Sequence, residues 1–144
     1  MTPRQQPPAD TPTVSAPGDT APLTVMIVDD DAEWRQTLKS WLDREGFRTV
    51  ALARADWIMP AIELHQPDVV VLDVQLPGPL SGLDLLDTLG RRWPGLSTIV
   101  TTAFGGAPVA DTARRLGASA YIDKPFRISA LVDVIRRVRR TADA

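Results

Sequence analysis

A doubly wound α/β domain built on a five-stranded parallel sheet is the fold class this sequence predicts, on three observations. Short β-branched runs alternate with longer amphipathic segments, giving five strand-helix units in about 120 residues. One run, Val69-Val70-Val71-Leu72, is apolar on both faces, which suits a central strand covered by helices on two sides. The runs also end in polar residues of complementary chemistry. In such sheets ligands bind at the carboxyl ends of the strands, where the strand order reverses.

The elements follow in order. Leu23 to Val28 reads as the first strand, then a helix from Ala32 to Glu45 with Asp31 as its cap and Gly46 as its stop signal. Phe47 to Leu52 supplies the second strand. A helix spans residues 56–66, where Pro60 is tolerable only near the first turn. Val69 to Asp73 is the third strand, followed by a Pro/Gly-rich loop and a helix from Gly82 to Arg92. After the Trp93-Pro94-Gly95 break come a strand from Ser97 to Thr101, a helix from Pro108 to Leu116, a strand from Ser119 to Ile122 and a last helix from Ile128 to Arg140. Residues 141–144 read as a short C-terminal tail.

Length and composition bound the function. With 144 residues, 44% of them hydrophobic, the chain has room for one domain with a real core, here residues 23–140. A net charge of -2 and a pI near 5.3 give no basic footprint for nucleic acid, so no direct nucleic-acid partner is expected. The absence of cysteine excludes disulfides, zinc-thiolate sites and thiol catalysis, and fits a cytoplasmic location. No apolar stretch is long enough to span a membrane. Residues 1–22, with prolines at 3, 7, 8, 12, 17 and 22, offer nothing to bury and read as a disordered, solubilising tail.

The chemistry is expected on one rim. Asp29 and Asp30 follow the first strand, Asp73 ends the third, Thr101 and Thr102 end the fourth, and Asp123 and Lys124 end the fifth. Crowded carboxylates repel unless a cation sits between them, and a hard divalent ion, Mg2+ above all, suits oxygen donors. Carboxylate nucleophile, cation site, hydroxyl and ammonium together are what transfer of a phosphoryl group to an aspartate needs.

Taken together these residues resemble the receiver domain of bacterial two-component response regulators, in its stand-alone form with the flavodoxin-like fold. The resemblance is carried by Val28-Asp29-Asp30, by Leu72-Asp73-Val74-Gln75-Leu76-Pro77 with Gly82-Leu83-Asp84-Leu85, by Thr102-Ala103, and by Gly117-Ala118-Ser119-Ala120-Tyr121-Ile122-Asp123-Lys124-Pro125-Phe126. It implies Asp73 as phosphoacceptor, Asp30 as a direct Mg2+ ligand, and Asp29 acting through bound water or sharing the ion. The Gln75 backbone carbonyl would complete the protein ligands. It further implies Thr102 as the hydroxyl that moves toward the phosphoryl oxygen, Lys124 as the cation that pairs with it, and Tyr121 as the aromatic switch. A cis Lys124-Pro125 bond is expected, and Gln75 and Phe104 are expected to set the lifetime of the phosphoryl group. The stretch Gly78-Pro79-Leu80-Ser81 is one residue longer than the commonest spacing of the family.

The resemblance implies a signalling switch and no enzyme beyond its own phosphorylation and dephosphorylation. The donor would be a sensor histidine kinase or a histidine phosphotransfer protein. Output would pass to a downstream protein over residues 108–140, with a phosphorylation-dependent homodimer as a further expectation. After Phe126 only one helix remains, so output is expected through another protein, a fragment of a longer regulator being the alternative. Two other classes compete: a pseudo-receiver binding module, and a Mg2+-dependent phosphohydrolase of the haloacid dehalogenase kind, for which the chain lacks both the following Gly/Thr pattern and a cap segment.

The remaining residues have plain readings. His65 is a half-exposed residue near a helix end. Trp34 and Trp41, seven apart, read as a packing stripe on the first helix, with Trp34 near enough to the acidic pocket to sense the metal by fluorescence. The pairs Arg136-Arg137 and Arg139-Arg140 suit the negative end of the final helix. Gly105-Gly106 lacks the rest of a phosphate loop and is read as a mobile joint. Trp57 and Trp93 belong to no motif.

Overall fold

In the computed structural model, residues 22–76, 82–103 and 106–143 are described. The expectations for residues 1–21, for the 78–81 loop, and for Phe104 and Gly105 lie outside the described residues. The elements are β1 (Thr24–Val28), α1 (Ala32–Arg44), β2 (Arg48–Leu52), a 3-10 turn (Ala55–Trp57), α2 (Ile58–His65), β3 (Val69–Asp73), α3 (Gly82–Arg92), β4 (Ser97–Thr102), α4 (Ala107–Arg115), β5 (Ala120–Asp123) and α5 (Ile128–Asp143). Every strand pairing is parallel and the order is β2-β1-β3-β4-β5, which is the doubly wound sheet the sequence predicts.

Alternation along the strands divides the core in two. Val25, Ile27, Val69, Val71 and Ile99 pack with Leu38 and Leu42 of α1 and with Leu131 and Ile135 of α5. Met26, Val28, Val70, Leu72 and Val100 face the other way, onto Ile62 of α2, Leu85, Leu86 and Leu89 of α3 and Ala113 of α4. β3 is buried along its whole length, as its unbroken apolar run requires.

Three boundaries differ from expectation for identifiable reasons. Phe47 is not in β2, because its N–H donates to Leu42 O while Gly46 N–H donates to Asp43 O. With Gly46 at φ +96°, this pair of bonds is the Schellman closure of α1. The helix expected over residues 56–66 is split into the 3-10 turn and α2. Pro60 has no N–H and its ring crowds the carbonyl four residues back, so the chain at Asp56 tightens and Pro60 falls in the first turn of α2. At the other end, α5 runs to Asp143, so Thr141 to Asp143 belong to the helix rather than to a tail.

That longer helix also changes the reading of its arginines. Arg140 lies in the last turn. Arg139 instead donates from Nη1 to Asp68 O at 3.2 Å, Gly95 O at 3.1 Å and Ser97 Oγ at 3.2 Å, which ties α5 to the starts of β3 and β4. Arg136 lies over the Phe47 ring, 5.6 Å from its centroid. The expected tryptophan stripe is half realised. Trp34 packs edge-on against Phe126 with ring centroids 5.2 Å apart, whereas Trp41 is 46% exposed and covered by Arg44. His65 ends α2 and is exposed.

Gly82, the first residue of α3, lies directly against the turn after β3. A Cβ there would lie 2.3 Å from Val74 Cα, a contact with backbone that no rotamer change relieves. Gly82→Ala is expected to destabilise the protein by about 3 kcal/mol, in the range of severe overpacking, with urea denaturation as the measurement. Unchanged stability would mean that Val74 and Gly82 can move apart at no cost.

Candidate functional site

The strand order reverses between β1 and β3, and the site stands at the carboxyl ends of these two strands. Pairing of Val28 with Leu72 brings Asp29 level with Asp73, and pairing of Asp73 with Thr101 and of Thr102 with Asp123 extends the level to β4 and β5. Asp31 is not part of this group. It caps α1, its Oδ1 accepting from Trp34 N–H at 3.1 Å, which leaves Asp29 and Asp30 to face the crevice.

Asp29 and Asp73 are held by the same device. Asp29 Oδ1 accepts from Asp31 N–H at 2.9 Å and Asp73 Oδ1 accepts from Gln75 N–H at 2.8 Å, each carboxylate gripping the backbone two residues on. Their other oxygens converge on one ammonium. Lys124 Nζ lies 2.6 Å from Asp29 Oδ2 and 3.2 Å from Asp73 Oδ2. Both carboxylates are buried, at 2% and 5% exposure, and Thr102 at the end of β4 is wholly buried. The cis Lys124-Pro125 bond is present as expected. Burial pushes the Lys124 ammonium down, but the hydrogen bond to Asp29 and the charges of Asp29 and Asp73 outweigh it and hold the pKa above that of an ordinary lysine.

Asp30 completes the cluster from an exposed position. One oxygen each from Asp29, Asp30 and Asp73 lie within 4.8 Å of one another. Opposite corners of a Mg2+ octahedron are about 4.1 Å apart and adjacent corners about 2.9 Å, and three donors must include adjacent pairs, so these hard oxygens need to draw in, by up to about 2 Å for a pair at that limit, to share such an ion directly. The donor set fits a divalent cation. Gln75, exposed in the turn after β3, has its N–H on Asp73.

Tyr121, on β5, is anchored on the α4 side of the site. Its hydroxyl donates to Asp123 Oδ1 at 2.6 Å and accepts from Gly106 N–H at 3.2 Å. Burial raises the phenol pKa, and the Asp123 carboxylate raises it further. The phenol's stabilising contribution is therefore complete below its ordinary pKa of about 10 and is lost as the pH rises through the raised value. Tyr121 is the only tyrosine, so an ultraviolet titration reads it alone. Asp123→Ala is expected to bring its midpoint down toward the ordinary value, and an unmoved midpoint would remove Asp123 as a cause.

One residue at the site had no place in the sequence-based expectations, and another was placed on the rim without a role of its own. Arg35 donates from Nη1 to the backbone carbonyl of Asp29 at 2.8 Å. Its sequence signal is a cation near the positive end of a helix, where the helix dipole disfavours it. Asp123, the tyrosine's partner, stands two residues along the same strand and so on the same face.

Comparison with known proteins agrees with this geometry. The sequence model of the response regulator receiver domain matches residues 25–136. The C4-dicarboxylate transport transcriptional regulatory protein DctD of Pseudomonas aeruginosa is 38% identical over 122 residues, covering 85% of this chain and 26% of DctD. The transcriptional regulatory protein FixJ of Azorhizobium caulinodans is 33% identical over 114 residues, covering 79% of this chain and 54% of FixJ. The chain thus spans about a quarter of the length of relatives such as DctD. Among solved structures, the receiver domain of NtrX from Brucella abortus superposes with a TM-score of 0.77 at 34% identity, covering 81% of this chain and 98% of that one. A CheY-like receiver domain from Methanospirillum hungatei gives 0.79 at 26% identity, covering 85% and 97%. Receiver domains are phosphorylation-activated signalling switches rather than conventional enzymes, and no helix among the described residues is long and apolar enough to cross a membrane. By its motifs, its sheet order and its acidic crevice, the chain belongs to the response regulator receiver domain family.

Proposed function

We propose that this chain accepts a phosphoryl group on Asp73 from the phosphohistidine of a sensor histidine kinase or a histidine phosphotransfer protein. The observation that carries the proposal is the buried ammonium of Lys124 between Asp29 and Asp73, with Asp30 in reach of both carboxylates. Gln75 N–H fixes Asp73 Oδ1 and leaves Oδ2 as the nucleophile. The Oδ2–P bond forms as the donor's P–N bond breaks, and the imidazole leaves as the neutral base after taking up a proton from solvent. Asp29, Asp30, Asp73 and the Gln75 carbonyl would hold Mg2+, which when bound screens the phosphoryl oxygens.

Lys124 already touches the attacking carboxylate, so it needs only a small movement to pair with a transferred phosphoryl oxygen. The new charge and acceptor oxygens draw the Thr102 hydroxyl inward, and Tyr121 exchanges its bonds to Asp123 and Gly106 for a place behind it. The altered face, residues 108–140, presents the signal to a downstream protein or to a second copy of the chain. Hydrolysis at phosphorus returns the Asp73 carboxylate and free phosphate, and Gln75 and Phe104 set the lifetime of the phosphoryl group. The chain's only chemistry is this gain and loss of its own phosphoryl group.

Intact-protein mass after incubation with acetyl phosphate and Mg2+ tests the proposal. One added phosphoryl group, absent when a chelator is present, is the expected result. No adduct together with no consumption of the donor, under conditions that label another receiver, would make the chain a pseudo-receiver.

A further inference from the structure

We infer that Arg35 is a positioning residue for the divalent-cation site, acting through the backbone of Asp29. The inference rests on the proposed cation site of Asp29, Asp30 and Asp73. Asp29 is bonded on every side. Its N–H donates to Leu52 O at 3.1 Å, its carbonyl accepts from Arg35 Nη1 at 2.8 Å, and its two carboxylate oxygens accept from Asp31 N–H and Lys124 Nζ. Asp30 has no such frame, because it lies exposed in the bend between β1 and α1. The direction of its carboxylate is inherited from the peptide that joins it to Asp29, and the carbonyl of that peptide is the group Arg35 holds.

The anchor is itself rigid. Arg35 N–H donates to Asp31 O at 2.9 Å, so the arginine belongs to the first closed turn of α1, and its partly buried side chain reaches back past the helix cap. α1 is packed into the core through Leu38 and Leu42. Arg35 therefore references the loop that carries two of the three carboxylates to the body of the domain. Mg2+ demands near-ideal octahedral geometry, so a loop left free to turn presents its ligands poorly. Residues that orient metal ligands in this indirect way are commonly worth 10 to 100-fold in metal affinity.

The electrostatic effect of the same residue has the opposite sign, which makes the inference testable. A guanidinium close to the carboxylates repels a divalent cation, so if Arg35 acted only as a charge, removing it would tighten Mg2+ binding. Isothermal titration of Mg2+ into wild type, Arg35→Gln and Arg35→Lys separates the two. Arg35→Gln, too short to reach the carbonyl, is expected to weaken Mg2+ about 10-fold. Arg35→Lys retains one donor and is expected to bind within about threefold of wild type, while phosphoryl incorporation in Arg35→Gln recovers at saturating Mg2+. Tighter or unchanged binding in Arg35→Gln would overturn the inference. So would unfolding of both variants in circular dichroism, which would make Arg35 a residue of the fold alone. Failure of wild type to bind Mg2+ would instead remove the cation site on which the inference stands.

Discussion

Asp73→Asn is expected to abolish phosphoryl incorporation and, in the absence of divalent cations, to melt higher than wild type. The second half of this expectation comes from the charge balance of the crevice. Asp73 faces two carboxylates within 4.8 Å and one ammonium at 3.2 Å. At an effective dielectric of 20 each repulsion at that limit is about 3 kcal/mol and the single attraction about 5 kcal/mol, so repulsion wins by a small margin before the desolvation of a buried charge is counted. A gain of about 1 kcal/mol, or about 3 °C in melting temperature, follows for a chain of this size. The asparagine can keep the bond from Gln75 N–H, so the local turn survives. Saturating Mg2+ should reverse the order, because wild type gains the binding free energy of the ion and the variant gains much less. Melting curves with and without Mg2+ read both effects. A variant that melts lower than wild type in chelator would show that Asp73 is held by net attraction, and an adduct on Asp73→Asn would move the acceptor elsewhere.

How much of this was legible in the sequence depended on the range of the interactions involved. Val69 to Asp73 announces a central strand because burial on both faces leaves it no polar alternation, and β1 and β4 are nearly as plain. Once the strands are placed, the crevice follows, since strand ends in a parallel sheet lie on one rim. That is why Asp29, Asp30, Asp73 and Lys124 could be grouped before any contact was known, and the structure brings these four together. The cap at Asp31 was legible for the opposite reason, being a contact of three residues' reach.

What stayed hidden was decided by tertiary partners or by competition for a single N–H. Phe47 has the composition of a strand residue, but its N–H is taken by the end of α1. Arg139 looks like any cation near the end of a helix, and only the fold brings Asp68, Gly95 and Ser97 to it. Trp41 and Trp34 share a helical face by spacing, yet only Trp34 has Phe126 opposite it. Arg35 belongs to no motif and Asp123 had no role assigned within its own, because their contribution lies in holding another group, and any residue of suitable reach could do it.

Lys124→Met is expected to produce the largest loss of stability, and the reason lies in what it leaves behind rather than in what it removes. The ammonium is only 16% exposed and is the partner of two carboxylates exposed by 3% and 6%. Breaking a buried ion pair from one side costs about 3 kcal/mol or more, because the remaining charges keep their desolvation cost and lose their compensation. For a chain of this length that is about 10 °C in melting temperature. The raised pKa of Lys124 means that the ammonium's contribution is complete below the pKa of an ordinary lysine and fades only as the pH climbs through the raised value, so the deficit should be constant across the neutral range. Mg2+ should restore more stability to this variant than to wild type, since the ion enters a crevice with no competing ammonium. The double variant Lys124→Met with Asp73→Asn provides the decisive comparison. If the cost comes from uncompensated carboxylates, removing one of them should recover about 2 kcal/mol, so that the double variant melts above Lys124→Met alone. Additive effects, with the double variant recovering only the gain of about 1 kcal/mol that Asp73→Asn brings to wild type, would mean that Lys124 stabilises the fold through its packing beside Trp34, 6.0 Å from the ring centroid, and not through the carboxylates it joins.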